Sequence, residues 1–425
     1  MRFEHPRTGR RLRLAYCLNL HPAEDLAGVR AGLERITQPL RERLGVDEAF
    51  GVGPWLPASV AGELAADRGA LERFAGELAD GGLDAFTFNA FPFGGFHREG
   101  LKRDVFKPTW LEPERLAFTC HAADVAAACA RARGTEDAER HLSISTHAGG
   151  HGDHLPETEQ RIECATLLAR AVSYLAGLEA EGAPRIVLGV EPEPRSAAGD
   201  TAEWAELHPE WAERIAAALD RSDAEALVQR HLGLCLDACH AAVEFEDPSE
   251  VVGRAAAARA PLAKLQFSNA LRLVDPGADP EGAAALLAMD EPVYLHQLAG
   301  LTGDGALRLG LNDLSDWEQL SEPERDAWRN AAEWRCHFHV PVDLGGPLPG
   351  SGGLSTTREL SDAVLDAVLA RRDAWGTPEL HVELETYTWS ILPDATRGAG
   401  ALVDGLEREY AHLIGRLERA GWQRA

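Results

Sequence analysis

The chain has 425 residues, with 42 basic and 68 acidic side chains and a formal net charge of −26. Proteins that bind nucleic acid or dock on anionic lipid need a basic surface, so this charge disfavours both functions. Hydrophobic residues make up 45% of the chain, which is enough for a large core. An acidic surface is compatible with a soluble enzyme that concentrates a divalent cation, although the charge is explained more simply by a role in solubility alone.

The cysteines and the amino-terminal segment indicate a cellular compartment. Seven cysteines, an odd number with no Cys-x-x-Cys pair, argue against a disulfide framework or a zinc ribbon and favour a reducing compartment. No run approaches the ~18 apolar residues of a transmembrane helix. Residues 1–13 also lack the features of a signal peptide. We therefore expect a cytoplasmic protein without membrane insertion.

Short apolar runs alternate along the chain with long amphipathic segments, a pattern typical of βα units around a parallel sheet. Eight runs are predicted strands: 13–20, 83–89, 141–147, 185–191, 232–237, 262–268, 336–341 and 379–385. Between them, 25–44 has its apolar residues on one helical face, and 247–250 has the Asp-Pro-Ser-Glu pattern of a helix start. The predicted fold class is α/β, a (β/α)8 TIM barrel that forms one domain over 1–425.

Two segments depart from this alternation and are predicted insertions. Residues 291–314, between predicted strands six and seven, contain alternating apolar residues around an Asp-Gly pair, which predicts a β-hairpin over the barrel mouth. Residues 90–113 follow predicted strand two and are rich in aromatic residues and glycine. This second segment is expected to form a substrate wall or, as an equal alternative, an ordinary packed loop.

Polar side chains collect where the predicted strands end, and catalytic residues of such barrels lie at the carboxyl ends of the strands. The candidate substrate-binding residues are Asn19, His21, Asn89 and His147, with Phe91 and Phe93 from the aromatic segment. The candidate catalytic residues are Glu191, Glu385 and His240, and the candidate metal ligands are Glu191, Asp237, Gln266, His339 and Glu385.

The chemistry of these groups favours a metal site. Glu191 and Glu385 end apolar strands, where a buried carboxylate needs a partner. Asp237-Ala-Cys-His240 offers a carboxylate and an imidazole, although a helix N-cap aspartate beside an incidental histidine explains it equally well. Such oxygen and nitrogen ligands suit Mn²⁺, Mg²⁺, Co²⁺ or Zn²⁺, which would polarise a carbonyl while the two glutamates exchange a proton at a substrate carbon.

Glu191 after strand four, Asp237-x-x-His240 after strand five and Glu385 after strand eight resemble the xylose isomerase-like superfamily of TIM barrels. The resemblance implies that the three carboxylates bind a divalent metal and that His240 lies beside the substrate or supports a ligand. At strand six, where that superfamily has a histidine ligand, this chain has Gln266, and His339 is a possible replacement.

Longer motifs resemble a narrower branch, the EboE-type metabolite traffic proteins. These motifs are Tyr16-Cys17-x-Asn19-x-His21-Pro22, the segment 86–94, Glu191-Pro-Glu-Pro194, the segment 337–343 and Glu383-x-Glu385-Thr-Tyr387-Thr-Trp389. The resemblance implies a role in moving or processing a secondary-metabolite precursor.

Three functions stay open at this point. The first is a metal-dependent isomerase or epimerase that acts on a small polyhydroxylated substrate. The second is a metal-dependent hydrolase or lyase, which would use an activated water and commonly more than one metal. The third is a non-catalytic barrel that binds a hydrophobic or aromatic metabolite, suggested by Gln266 and the aromatic segment.

Overall fold

In a computed structural model, the structure describes residues 1–134, 140–305, 308–392 and 402–425. The strands within these ranges are β1 (Arg2–His5), β2 (Arg10–Cys17), β3 (Phe50–Gly53), β4 (Leu83–Ala85), β5 (Thr87–Asn89), β6 (His141–His147), β7 (Arg185–Glu191), β8 (Leu232–Asp237), β9 (Leu262–Phe267), β10 (Asn269–Val274), β11 (Leu298–Thr302), β12 (Arg308–Leu311), β13 (Ala331–Val340), β14 (Ser355–Thr356), β15 (Glu379–Leu384) and β16 (Gln423–Arg424).

The α-helices within the same ranges are α1 (Leu26–Gly32), α2 (Gln38–Arg43), α3 (Ala58–Ala66), α4 (Arg68–Asp80), α5 (Pro113–Arg133), α6 (Thr158–Glu163), α7 (Ala165–Ala180), α8 (Thr201–Leu219), α9 (Ala224–His231), α10 (Ala238–Val243), α11 (Pro248–Ala257), α12 (Pro280–Leu287), α13 (Glu322–Arg329), α14 (Arg358–Ala370) and α15 (Leu402–Arg419). Among the described residues, no helix is both long and apolar enough to cross a membrane.

Parallel strands form a nearly closed barrel. Its neighbours run in the order β3, β2, β15, β9, β8, β7, β6 and β5, and each adjacent pair is parallel. β4 pairs with β3 and continues through Phe86 into β5, so β4 and β5 are the two halves of the predicted strand 83–89. The prediction of a parallel barrel with alternating helices is therefore confirmed.

One predicted barrel strand is wrong. Residues 336–341 belong mostly to β13, which pairs antiparallel with β10 and β11 in a second sheet ordered β12–β11–β13–β10–β14. β9 leads into β10 with only Ser268 between them. Two parallel neighbours need a crossover connection of a dozen or more residues, so β10 cannot be the next parallel strand of the barrel and belongs to the second sheet instead. The eighth parallel strand of the barrel is instead β3, which was not among the predicted strands.

The second sheet lies beside the barrel and has its own apolar core. Residues such as Leu271, Leu298, Trp328 and Trp334 form this core, separate from the larger core under the barrel helices. β11 and β12 pair antiparallel at one edge of this sheet. The assignment of 90–113 and 291–314 as insertions in a single domain stays a prediction.

Candidate metal centre

Three carboxylates meet at the carboxyl ends of the barrel strands. Glu191 is the last residue of β7, Asp237 is the last of β8, and Glu385 directly follows β15. All three side chains are buried, and one oxygen from each lies within 4.8 Å of the others. Asp237 Oδ1 also accepts a 2.9 Å hydrogen bond from the His240 amide, so this residue caps α10 as well.

The electrostatics of these carboxylates fit a bound cation. Burial raises the pKa of Glu191, and the charges of Glu385 and Asp237 raise it further. Burial and then the Asp237 charge raise the pKa of Glu385 in the same way. Within the described structure, Asp237 Oδ2 and Glu385 Oε2 have no hydrogen-bond partner. Buried carboxylate oxygens that lack donors are suitable ligands for a hard divalent cation.

Three histidines lie beside the carboxylates. His240 is in α10, and His337 and His339 lie on one face of β13, so the second sheet contributes two of the rings. The Nε2 atoms are 3.1 Å apart for His240 and His337, 2.7 Å for His337 and His339, and 3.3 Å for His339 and His240. His339 Nδ1 lies 3.9 Å from Asp237 Oδ2.

Gln266 lies in the same pocket with its amide already engaged. Its Oε1 accepts a 2.7 Å hydrogen bond from Cys235 Sγ, and its Nε2 donates to Asn89 Oδ1 at 3.2 Å. A metal at Gln266 Oε1 would have to compete with the thiol. The role of Gln266 as a ligand stays a prediction, and His339 Nδ1 lies 3.9 Å from Asp237 Oδ2 and 4.0 Å from Glu385 Oε2.

A buried ion pair lies below the site, inside the barrel. Lys264 Nζ contacts Glu383 Oε2 and Asn89 Oδ1, each at 2.7 Å. A Cβ at position 53 would lie 1.6 Å from Glu383 Oε1, so only glycine at the end of β3 leaves space for this carboxylate. Asn89, a predicted substrate-binding residue, thereby supports the ion pair through its side chain.

Aromatic side chains form the wall of the pocket above the carboxylates. Phe91 and Phe96 come from the aromatic segment, and Tyr294 and Tyr387 complete the wall. Tyr387 stacks on His339 with ring centroids 4.6 Å apart. Burial, and then the charges of Glu193 and Glu385, raise the pKa of Tyr387 well above its usual value.

The remaining predicted substrate-binding residues do not all lie in the pocket. Asn19 lines the pocket and donates to Glu385 Oε1 at 2.8 Å. His21 is buried against Tyr16, with its Nε2 3.1 Å from the phenol oxygen. Phe93 packs against Phe118 of α5.

His147 packs edge-on against Phe91, with ring centroids 5.1 Å apart. Among the described residues, His21, Phe93 and His147 do not line the pocket. Their contact with substrate stays a prediction.

Glu193 and His337 line the pocket but were not among the predicted site residues. Burial raises the pKa of Glu193 to about 7, and its Oε2 has no partner within the described chain. Glu193 follows Glu191 by two residues and His337 precedes His339 by two, so the same-face spacing of strands was a signal for both.

A second histidine and carboxylate group lies at the opposite end of the barrel. His141 begins β6, Glu379 begins β15, and His381 stacks on His141 at 4.0 Å. Glu379 Oε1 already pairs with Arg13 Nε at 2.8 Å, so a cation partner is present. This group is part of a structural ion-pair network rather than a metal centre.

Comparisons with known proteins give only distant likenesses. No family model matches the chain, and no curated protein matches it. The solved structure of an IOLI protein "with a binding zinc atom" shares 11% identity, with a TM-score of 0.45, and the alignment covers 96% of this chain and 98% of that one. A xylose isomerase domain protein from Planctomyces limnophilus gives the same identity and TM-score with 96% of each chain covered.

Proposed function

We propose that this chain is a metal-dependent enzyme of the sugar isomerase or epimerase type, acting on a small polyhydroxylated substrate. The observation that carries the proposal is the buried cluster of Glu191, Asp237 and Glu385 at the carboxyl ends of the barrel strands, with Glu191 and Glu385 lining a pocket there. The cation class is Mn²⁺, Mg²⁺, Co²⁺ or Zn²⁺, and it would polarise substrate oxygens.

The protein's own residues then supply proton transfer and orientation. Glu191 ends β7 and Glu385 follows β15, and both carboxylates line the pocket, where they could exchange a proton at a substrate carbon. Asn19 holds Glu385 Oε1 at 2.8 Å and so orients that carboxylate. His240 lines the pocket 3.5 Å from Glu191 Oε1, where it can contact a substrate hydroxyl.

The test combines metal content with proton exchange. Purified protein reconstituted with Mn²⁺ is analysed by ICP-MS, and sugars and sugar phosphates are then incubated with it in D₂O. We expect bound metal and deuterium uptake at a substrate carbon, with both lost in Asp237→Asn. His208 in α8 is buried but lies outside the pocket lining, so His208→Gln is the matched control. A folded wild type that takes up no metal overturns the proposal.

The finer assignments rest on the motif resemblance. The EboE-type motifs around Asn19, Glu191 and Glu385 support a substrate drawn from secondary-metabolite precursors. All seven cysteines lie in the described ranges and are free thiols, which supports a reducing, cytoplasmic setting. The expected partner is this small molecule, with no nucleic acid and no membrane.

Two alternatives have observations of their own. The histidines beside the carboxylates favour a hydrolase or lyase if they hold a second metal, because a metal-activated water suits that chemistry. The aromatic wall at Phe96, Tyr294 and Tyr387 favours a non-catalytic binding barrel. Tight binding of an aromatic metabolite to metal-free protein, unchanged in Glu385→Gln, would select the binding barrel.

A further inference from the structure

We propose that His240, His337 and His339 form a second metal site, in which three Nε2 atoms bind a transition-metal ion of the Zn²⁺ or Co²⁺ class. The inference rests on the proposed function, since it adds a second cation to the same pocket. It differs from the carboxylate site in its ligand atoms and in the cation they select.

The tautomers of two of these rings follow from their backbone partners. His240 Nδ1 lies 2.9 Å from the carbonyl oxygen of Pro192, and His339 Nδ1 lies 3.1 Å from that of Glu385. A carbonyl oxygen only accepts hydrogen bonds, so each Nδ1 that bonds to one carries the proton. The Ser268 hydroxyl, 3.0 Å from His339 Nδ1, then accepts from that nitrogen. In the neutral rings, each Nε2 is therefore left with a lone pair.

The third tautomer is set by Gln297. Gln297 Nε2 donates to the Pro194 carbonyl at 3.1 Å, which fixes the orientation of the amide and turns its Oε1 toward His337. His337 Nδ1 lies 2.5 Å from that Oε1 and must donate to it. The Nε2 of His337 is then also a lone pair, and it faces those of His240 and His339.

Three lone pairs at 2.7–3.3 Å repel one another unless a cation lies among them. A single added proton satisfies only one of the three contacts. The edge of a tetrahedron with Zn–N bonds of 2.0–2.1 Å is about 3.3 Å, close to the spacings of 3.1 and 3.3 Å and longer than the 2.7 Å between His337 and His339. Histidine ligands also characteristically donate their other ring N–H to a carbonyl, as all three do here.

The two sites select different cations. Imidazole nitrogens favour Zn²⁺ and Co²⁺, whereas carboxylate oxygens alone suit Mg²⁺ or Mn²⁺. Glu193 lies beside the histidines, with its Oε1 3.9 Å from His337 Nδ1. The three histidines and Glu193 all line the pocket, which leaves the site accessible to a small molecule.

The experiment counts metals in chelator-treated protein after dialysis against Co²⁺ with Mn²⁺, using ICP-MS and the visible absorption of bound Co²⁺. We expect two metals per wild-type chain. His337→Gln should lose the Co²⁺ absorption and one metal, while Asp237→Asn should lose the other metal and keep the absorption. His208→Gln, which removes a buried histidine elsewhere, should keep both.

A second variant keeps all three ligands. Gln297→Met removes the acceptor for His337 Nδ1, together with the Nε2 contacts to Pro194 and Glu193, and should weaken Co²⁺ binding about 10–100-fold. One metal that disappears in Asp237→Asn but survives in His337→Gln overturns this inference and leaves the proposed function standing. One metal lost in both variants means a single shared site and also overturns it. One metal lost only in His337→Gln supports the inference and removes the carboxylate site of the proposed function.

Discussion

Lys264 and Glu383 form an ion pair at the centre of the barrel, with Nζ and Oε2 2.7 Å apart and neither side chain exposed to solvent. The pair lies in adjacent strands β9 and β15, below the carboxylates of the candidate metal centre. Lys264 also donates to Asn89 Oδ1, so it links three barrel strands. A buried charge that loses its partner is strongly destabilising, whereas a pair that is removed together costs much less.

We expect Lys264→Met to destabilise the protein by about 3–5 kcal/mol, because Glu383 would be left as an unpaired buried charge. The double variant Lys264→Met with Glu383→Gln should recover a large part of this loss. Urea denaturation followed by circular dichroism measures both. Equal stabilities of the single and the double variant would contradict this account of the pair.

A second network closes the amino end of the barrel. Asp84 pairs with Arg13 at 2.8 Å and with Arg140 at 2.6 Å, and all three side chains are buried. We expect Asp84→Asn to destabilise the protein by about 3–5 kcal/mol. The exposed Asp80→Asn, four residues earlier, should have an effect of less than ~0.5 kcal/mol. The folded Asp84→Asn variant should bind as much metal as wild type, because this network lies at the opposite end of the barrel from the metal centre. A lower metal content would contradict the independence of the two ends.

Most barrel strands could be predicted from the sequence because they are buried on both faces and form continuous apolar runs. β3 could not, since it has only four residues and two of them are glycines. A Cβ at Gly51 would lie 2.2 Å from the Leu14 carbonyl oxygen, so this close approach to β2 replaces the apolar pattern. The run 336–341 resembles a barrel strand locally, and its antiparallel pairing with β10 depends on residues more than 60 positions away.

The residues of the candidate site that lie at the carboxyl ends of strands could be predicted from the sequence. Glu191, Asp237 and Glu385 meet because parallel strands bring their carboxyl ends to one edge. The convergence of His337 with His240 was not predictable, since it requires β13 to pair in the second sheet rather than in the barrel. The position of His21 behind Tyr16 was likewise hidden, because it depends on packing rather than on local sequence.

Glu409 of α15 gives the stability of the protein a dependence on pH. Burial and the charge of the nearby Asp343 together raise its pKa to about 8, although the Trp389 indole donates to its carboxylate at 3.0 Å. A carboxyl whose pKa is higher in the folded state stabilises the fold fully below its ordinary pKa of 4.5, and this contribution is lost as pH rises toward 8.

We therefore expect the stability of wild type relative to Glu409→Gln to fall between pH 5 and pH 8, by on the order of a few kcal/mol. A hydrogen bond lost in the glutamine variant changes its free energy of unfolding by the same amount at every pH in this range. Urea unfolding midpoints at several pH values measure the difference. For the exposed Glu418→Gln on the same helix, the plot of unfolding midpoint against pH should be parallel to that of wild type. A parallel plot for Glu409→Gln as well would contradict the raised pKa of Glu409.

Lys102 connects the aromatic segment to the second sheet at the pocket entrance. Its Nζ lies 2.9 Å from Asp313 Oδ2 and 3.2 Å from Asp290 Oδ1. The lysine is 24% exposed and the Asp313 side chain 8%, so we assign the contacts about 1 kcal/mol after solvent screening. Local opening of the segment should therefore become roughly fivefold more frequent in Lys102→Met.

Hydrogen–deuterium exchange of peptides covering 96–106 measures this opening. Lys107→Met is the matched control, because Lys107 lies in the same segment, is half exposed and pairs only locally with Asp104. We expect faster exchange in Lys102→Met and unchanged exchange in Lys107→Met. The increase should shrink at high salt, since the exposed part of the contact is screened there. Equal exchange in both variants would show that aromatic contacts such as Phe96 with Tyr294, rather than Lys102, hold the entrance closed.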